Sequence, residues 1–338
     1  MLRLENRKDL AGMVKNLKML GTLALGLGRS IEFYYASEFL LESQLDFSNK
    51  FYWSLLENCK NVEDLGLLMA DSIMEQTRLI LGKRKLIKSL YLQKNQDLSI
   101  FYTDPLSISA FGSCLSSIEH HHLKSITLRR LLFVEDDELK RSTTHLEPFM
   151  INIENVCVEG FYGSTSSLTR FVPINTSRLK TFTISQSSLP TNQDLEKLIS
   201  MLPPSLESFT YRLSSTFFGK FFLPFICYQS LPNLQSIELN GFTGITLSGF
   251  QTLLETSPRI QSISFANSTW IKSEITKKDF LKRFKSSLYE FEDLHLNAGV
   301  FPFSAKEMNP VITFMKKNRI SLDYQPQLSH QASQCMIS

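Results

Sequence analysis

One spacing recurs along this chain: an apolar residue, two variable residues, an apolar residue, one variable residue and a third apolar residue. It is clear at Val62-Leu65-Leu67, Ile87-Leu90-Leu92, Leu123-Ile126-Leu128, Ile153-Val156-Val158 and Leu179-Phe182-Ile184. It continues at Leu206-Phe209-Tyr211, Leu234-Ile237-Leu239, Ile260-Ile263-Phe265 and Phe291-Leu294-Leu296. An early copy reads Leu17-Leu20-Leu23-Leu25 with a leading turn, a weaker one holds Leu41, Leu45 and Phe47, and a last one reads Ile320-Leu322-Tyr324. The third apolar residue serves as a register mark. From residue 128 the marks fall at 158, 184, 211, 239, 265 and 296, at intervals of 30, 26, 27, 28, 26 and 31. The step of 36 from 92 to 128 predicts a longer loop, holding Asp104-Pro105 and the run His120, His121, His122.

Alternate apolar residues within each copy predict a strand, because strand side chains alternate faces with a period of two. Short helical patterns lie between the copies. Phe250, Leu253 and Leu254 are spaced i, i+3, i+4, as are Leu195, Leu198 and Ile199, and Trp53 is followed by Leu55 and Leu56. Thr191-x-x-Asp194 and Thr276-x-x-Asp279 resemble capping boxes with Asp in place of Glu. Pro203-Pro204, Pro232 and Pro258 stand just before the next strand, where a helix must already have ended. A single strand–helix unit cannot bury its apolar face alone, whereas stacked units form a continuous core. A period of about 20 to 29 residues with this spacing is that of a leucine-rich repeat. The expected fold is therefore an α/β leucine-rich-repeat solenoid of about 11–12 repeats: a curved horseshoe with parallel strands on the concave face and helices on the convex face. The expected organisation is one repeat domain over 1–326, with caps at both ends, and a disordered tail over 327–338. Residues 1–16 would cap one end. Pro310 to Tyr324 would cap the other, with Phe314 and Met315 packing inward.

Composition narrows the class further. The chain is 43% apolar and 20% charged, which supplies ample core material. Its 36 basic and 33 acidic residues leave a net charge of +3, too balanced for a general nucleic-acid field. The five cysteines, Cys59, Cys114, Cys157, Cys227 and Cys335, are far apart and form no CxxC pair. That usage fits buried thiols in a reducing compartment better than a disulfide framework or a zinc site. The charged N-terminus and the internal position of the run Leu17 to Leu27 do not read as a secretory signal, and no stretch approaches the roughly 20 apolar residues of a membrane span. A cytoplasmic or nuclear location is expected, with neither membrane nor nucleic acid as partner. The sequons at Asn175 and Asn267 carry little weight without a secretory signal.

The unit Phe51 to Cys59, with Leu55, Leu56 and Glu57, leads into Val62, Leu65 and Leu67, and it recurs from Phe250 through Leu253, Leu254 and Glu255 to Ile260, Ile263 and Phe265. It resembles the cytosolic repeats of F-box/leucine-rich-repeat proteins, particularly the fungal type, and of ribonuclease-inhibitor-like proteins. The resemblance covers nearly the whole chain. It implies a non-catalytic protein-recognition module, like the substrate-receptor part of an F-box ubiquitin ligase, with no cofactor. The alternative is a ubiquitin-independent scaffold, inhibitor or effector. An F-box is a helical segment ahead of the repeats. Here the first repeat begins by residue 17, so a ubiquitin-ligase adaptor could join only if an F-box exists outside this chain. The Gly and Ile-Pro pattern of plant-type extracellular repeats is absent.

The register assigns the residues that should face the partner on the concave side: Tyr91 and Gln93; Thr127 and Arg129; Asn155 and Glu159; Thr183; Thr210 and Arg212; Glu238 and Asn240; His295 and Asn297. Small, mostly polar residues share that face, among them Ser89, Ser125, Cys157, Thr181, Ser208, Ser236, Ser262, Ser264 and Ala266, and Asp293 is expected there too. A broad polar surface of mixed charge suits a directional protein contact. The histidine run reads as a solvated loop, since no Cys or acidic cluster completes a metal shell. Lys83-Arg84-Lys85 and Lys316-Lys317 read as solvated helix ends, with contact to acidic partners or phosphates as the alternative. Gly26-Leu27-Gly28-Arg29-Ser30 lacks the order of a phosphate loop, and no nucleophile elbow, HExxH or EF-hand is present. The aromatic cluster Phe217, Phe218, Phe221, Phe222 and Phe225 is expected behind the sheet. Truncating an inward residue, Ile237→Ala or Leu239→Ala, should cost about 2–5 kcal/mol in unfolding free energy, whereas Ser236→Ala should cost little. Equal losses at both kinds of position in denaturant titrations would refute the register.

Overall fold

The computed structural model describes residues 16–18, 64–69, 88–94, 123–129, 152–160, 177–187, 198–213, 231–271 and 276–326. The chain forms two compact units, Met1–Leu179 and Lys180–Ser338. In the first, five strands run parallel, each paired with the next: β1 (Asn16–Lys18), β2 (Asp64–Met69), β3 (Ser89–Lys94), β4 (Ser125–Arg129) and β5 (Asn155–Glu159). Leu67 is paired with Leu92, Leu92 with Leu128, and Leu128 with Val158, so the register marks stand side by side as the spacing requires. At β1 the spacing misleads. Leu17 pairs with Leu65 and so takes the middle apolar position rather than a leading turn, while Leu20, Leu23 and Leu25 lie outside the described residues.

The second unit repeats the plan with β6 (Thr181–Ser187), β7 (Ser208–Leu213), β8 (Ser236–Asn240), β10 (Ser262–Ser264), β12 (His295–Phe301) and β13 (Ser321–Pro326), again parallel. With β1–β5 this makes eleven repeat strands among the described residues. A second, shorter row runs alongside: β9 (Thr243–Ile245) pairs with β11 (Thr269–Trp270), which pairs with the end of β12. The fold is an α/β leucine-rich-repeat solenoid, and burial follows the spacing. Ile126, Leu128, Val156, Val158, Phe182, Ile184, Phe209, Tyr211, Ile237, Leu239, Ile263 and Phe265 are all buried, and the residues between them are partly or fully exposed.

The backbone shows why the two variable residues tolerate any side chain. The carbonyl of the first of them accepts two N–H groups from the next repeat. Lys88 O accepts from Lys124 N at 2.8 Å and Ser125 N at 3.0 Å, and Lys124 O from Glu154 N and Asn155 N. In the second unit Lys180 O serves Glu207 and Ser208, Glu207 O serves Gln235 and Ser236, and Gln235 O serves Gln261 and Ser262. The stacking bond is made by main chain, so the sequence there is free.

The repeat read as Phe291-Leu294-Leu296 departs from the expected register. Leu296 pairs with Ile263, which makes it the middle apolar residue, and Ala298 takes the third position with no exposed surface. The mark therefore falls at 298 rather than 296. The cause is a backbone turn: Asp293 (φ 59°) and Arg319 (φ 60°) adopt the left-handed conformation where other repeats place their first apolar residue. That turn moves the inward position one residue on, to the buried Leu294 and Ile320. Because the slip is two residues, His295 and Asn297 keep the same face, but Asp293 lies ahead of the strand and not on it.

Three helices are described, all in the second unit. α1 (Leu247–Thr256) is capped by Thr246, whose Oγ1 accepts from Gly249 N at 3.1 Å, and it buries Phe250, Leu253 and Leu254 as their spacing predicts. α2 (Lys277–Ser287) is capped by Thr276, whose Oγ1 accepts from Asp279 N and donates to the Asp279 carboxylate at 2.6 Å. The shorter Asp thus closes on the hydroxyl in place of a full capping box. α3 (Ala305–Lys317) carries a complete box, Ser304 with Glu307, so the closing helix starts five residues before Pro310, which lies within it. Phe314 and Met315 pack inward, as expected. Leu198 and Ile199 are buried in a helical turn. Leu195, Thr191, Asp194, the pattern around Trp53, the Phe217–Phe225 cluster, most of residues 1–16 and all of 327–338 lie outside the described residues.

Behind β8–β12 the core is aromatic. Trp270 lies within 6.1 Å, centroid to centroid, of Phe250, Phe265, Phe280, Phe284 and Phe301, and its Nε1 donates to Ala298 O at 2.7 Å. Buried Ser268 joins two repeats: its Oγ accepts from Phe242 N at 2.9 Å and lies 3.1 Å from Leu239 O. Gly299 (φ 65°) passes so close to the carbonyls of Phe265 and Ser268 that a Cβ would meet both. Two outcomes follow. Gly299→Ala should lose about 2–4 kcal/mol by combining left-handed strain with a backbone clash, measured by denaturant unfolding, and a loss near zero would contradict the close approach. Glu307 bonds to Lys277 Nζ at 2.7 Å, and with the Ser304 cap this holds its carboxyl down to about 2. A carboxyl depressed in the folded state stabilises above its ordinary range, near 4.3, and loses that contribution as pH falls toward 2. The melting-temperature gap between native protein and Glu307→Gln should therefore close between about pH 5 and pH 2.

Candidate functional site

In the strands whose burial is described, every second residue leaves the core and stands on the open face of its sheet. In the first unit this sets Ser89, Ser125 and Asn155 in one row, Tyr91, Thr127 and Cys157 in the next, and Gln93, Arg129 and Glu159 in the third. In the second unit the rows run Thr181, Ser208, Ser236, Ser262, His295; then Thr183, Thr210, Glu238, Ser264, Asn297; then Ser185, Arg212, Asn240. The structure thus places all thirteen sequence-assigned residues on open-face positions, Gln93 by backbone register alone.

Some of them it brings together. Arg129 donates through Nη1 to the Tyr91 hydroxyl at 3.3 Å and meets Glu159 Oε1 through Nη2 at 3.1 Å. The guanidinium side chain is only 11% exposed, so this pair works in a less screened setting than an ordinary surface pair. Burial raises the Tyr91 phenol above its ordinary range, opposed by the Arg129 hydrogen bond and charge, so it stays protonated at neutral pH. Arg212 grips Glu238 with two parallel bonds, Nε to Oε1 at 2.7 Å and Nη2 to Oε2 at 2.8 Å, the forked geometry that fixes both planes. Asn240 Oδ1 accepts from Asn267 Nδ2 at 3.1 Å.

Others are turned to local work. Asn297 Oδ1 accepts from Gly299 N at 3.1 Å and so steadies its own turn. His295 Nδ1 lies 3.3 Å from Ser321 Oγ and its Nε2 3.8 Å from Asp323 Oδ2. Thr127 stands in the middle row of the first unit's face, and Thr183 and Thr210 in the middle row of the second's. Cys157 is half-buried and forms no disulfide. Ser321 and Asp323 join the face beside His295, and sequence reading did not assign them; the alternation of Ile320, Leu322 and Tyr324 was the signal that could have found them. The His120–His122 and Lys83–Lys85 runs, Gly26–Ser30 and Asn175 lie outside the described residues. Among the described residues no group of three His, Cys, Asp or Glu side chains could hold a metal ion, and no helix is long and apolar enough to cross a membrane. Chemically, the face offers hydroxyls, amides and two arginines whose charges are already matched by glutamates of their own sheet.

No family model matches the sequence, and no curated protein matches it. Solved structures do. A chain of the mouse RP105/MD-1 complex superposes with a TM-score of 0.45 at 12% identity, over 81% of this chain and 41% of that one. The leucine-rich repeat-containing protein LegL7 of Legionella pneumophila gives 0.35 at 16% identity, over 72% and 86%. A chain of the yeast Rad7 and Elc1 complex gives 0.27 at 14%, over 67% and 75%. This chain therefore spans about two fifths of the mouse chain it matches. The fold assignment rests on the repeat geometry itself.

Proposed function

We propose that the protein is a non-catalytic recognition module that holds another protein against the open face of its sheets. One observation carries this reading: rows of small polar side chains at fixed strand spacing, into which the Arg129–Glu159 and Arg212–Glu238 pairs are set with their geometry already fixed. A partner docking there meets oriented donors and acceptors without first ordering long side chains, which lowers the entropic cost of association. The face does not impose one charge sign, so selectivity would come from hydrogen-bond pattern and shape. The resemblance to F-box/leucine-rich-repeat proteins supports a cytoplasmic or nuclear setting and a substrate-receptor role, which a ubiquitin-ligase adaptor would join only if an F-box exists outside this chain.

The test is site-specific photo-crosslinking. A photoreactive residue at Thr210 or Thr127 should give a discrete adduct with one protein in a cell extract, and the same residue at Lys306 on α3 should not. A charge-breaking Glu238→Arg variant should reduce the Thr210 adduct at least tenfold. Equal labelling from both sides of the repeat, or adduct yield unaffected by Glu238→Arg, would sink the open-face reading. Capture of an F-box adaptor complex would favour the ubiquitin role over a ubiquitin-independent scaffold.

A further inference from the structure

We propose that the outer face of α2 and α3 docks on the surface of an anionic phospholipid bilayer. α2, KKDFLKRFKSS, carries five basic residues and one acidic one, and α3, AKEMNPVITFMKK, three and one, while the whole chain has a net charge of only +3. The excess is therefore local, and the rest of the chain is net acidic. It is also directed outward. α2 buries Phe280 and Phe284 and leaves Lys278, Lys282 and Arg283 exposed; α3 buries Met308, Val311, Phe314 and Met315 and leaves Lys306, Lys316 and Lys317 exposed.

The two helices form one layer. Lys277 Nζ bridges to Glu307 at 2.7 Å, and Lys285 Nζ sits 4.8 Å above the Phe314 ring. Lys278, Lys282, Lys285 and Tyr289 are spaced i, i+4, i+7 and i+11, so they share a stripe, and Tyr289 packs on Phe314 at 5.6 Å. Of the two large apolar side chains exposed among the described residues, Tyr289, 71% exposed, lies just past the end of α2, and Ile271, 38% exposed, follows β11.

Three features favour a lipid surface over a nucleic acid or an acidic peptide. Of the eight cations seven are lysines, strongly hydrated point charges rather than the planar forks that read phosphate or carboxylate geometry one by one. They project from two neighbouring helices and so match a flat array of headgroups, whereas one acidic strand would meet one row at a time. The exposed Tyr289 just past the end of α2 is of the amphipathic aromatic type that settles at a headgroup boundary. Each lysine near an anionic leaflet adds about 1 kcal/mol, so four or five suffice for measurable, salt-sensitive attachment. The sequence expectation of no membrane partner rested on the lack of an apolar span, and a peripheral contact of this kind needs none.

The experiment is vesicle co-sedimentation of the full chain. Vesicles of phosphatidylcholine with about a third phosphatidylserine should bind it at physiological salt, and pure phosphatidylcholine should not. Raising salt to about 0.5 M should release it, because screening shortens the Debye length. The exposed triple variant Lys278→Gln, Lys282→Gln, Lys306→Gln should lower partitioning roughly a hundredfold with its thermal melt unchanged. A control of equal charge change, Lys88→Gln, Lys180→Gln, Arg259→Gln, should bind as the native protein does. Absence of binding to the anionic vesicles, equal binding to both lipids, or equal loss in both variants would overturn the proposal. Binding of duplex DNA or poly-glutamate through this face, in protein that ignores the vesicles, would assign the surface to that polyanion instead.

Discussion

Everything in this fold depends on a main-chain carbonyl that accepts two N–H groups from the following repeat. At Lys88, Lys124, Lys180, Glu207 and Gln235 the same geometry returns. It fixes where one strand enters relative to the next before any side chain is considered. A parallel ladder then pairs equivalent residues, and the period of two sends the same positions of every repeat inward. A slip of one residue would turn each apolar set to solvent, so the register is held by both main chain and burial. The variable residues at the accepting position carry charged or amide side chains because nothing there is asked of them.

A second constraint operates where the strand ends. Gly160, Gly241 and Asn267 hold equivalent places and all take positive φ. The chain turns there, and in the later repeats this creates the short second row through β9, β11 and the end of β12. Gly299 does the same with a tighter approach to the Phe265 and Ser268 carbonyls. Trp270 then fills the space behind this row and bonds to Ala298 O. The aromatic core is thus a consequence of the turn: the second row opens a wide interior that large rings fill.

Most of the fold was legible in the sequence because the repeat is enforced at every copy. Leu128, Val158, Ile184, Tyr211, Leu239 and Phe265 could be marked as equivalent from spacing alone; Leu128 stands beside Val158 in the first unit, and Ile184, Tyr211 and Leu239 stand side by side in the second. The misreadings at Leu17 and Leu296 have a common physical origin. Spacing reports parity, but it does not report which apolar residue of a run takes the middle position. At Asp293 and Arg319 a left-handed backbone shifts that choice, and neither residue type announces it. The open-face positions were legible for the same reason of parity. The ion pairs on them were not, since Arg212 and Glu238 are separated in sequence and meet only because successive repeats stack. The Ser304–Glu307 capping box lies ahead of the segment from Pro310 expected to close the repeat, because the helix that closes it begins at Ala305.

The two sides of the repeat treat charge in opposite ways. On the open face each arginine has a glutamate on a neighbouring strand: Arg129 meets Glu159, and Arg212 meets Glu238. Charges so matched contribute little net field at a distance, and they orient hydrogen bonds at contact. On the helices the basic residues outnumber the acids of α2 and α3 four to one, and the pairing of Lys277 with Glu307 serves to clamp helix to helix. A uniform solvating coat would mix signs, as the chain's overall balance shows it can do. Self-repulsion among like charges on adjacent helices costs stability, and mixing in more acids would relieve it. The fold bears that cost on one face only, and it holds matched charges on the other. A face that reads shape and hydrogen bonds, set against a face that carries a field, is what a repeat protein would present if its two sides met different partners.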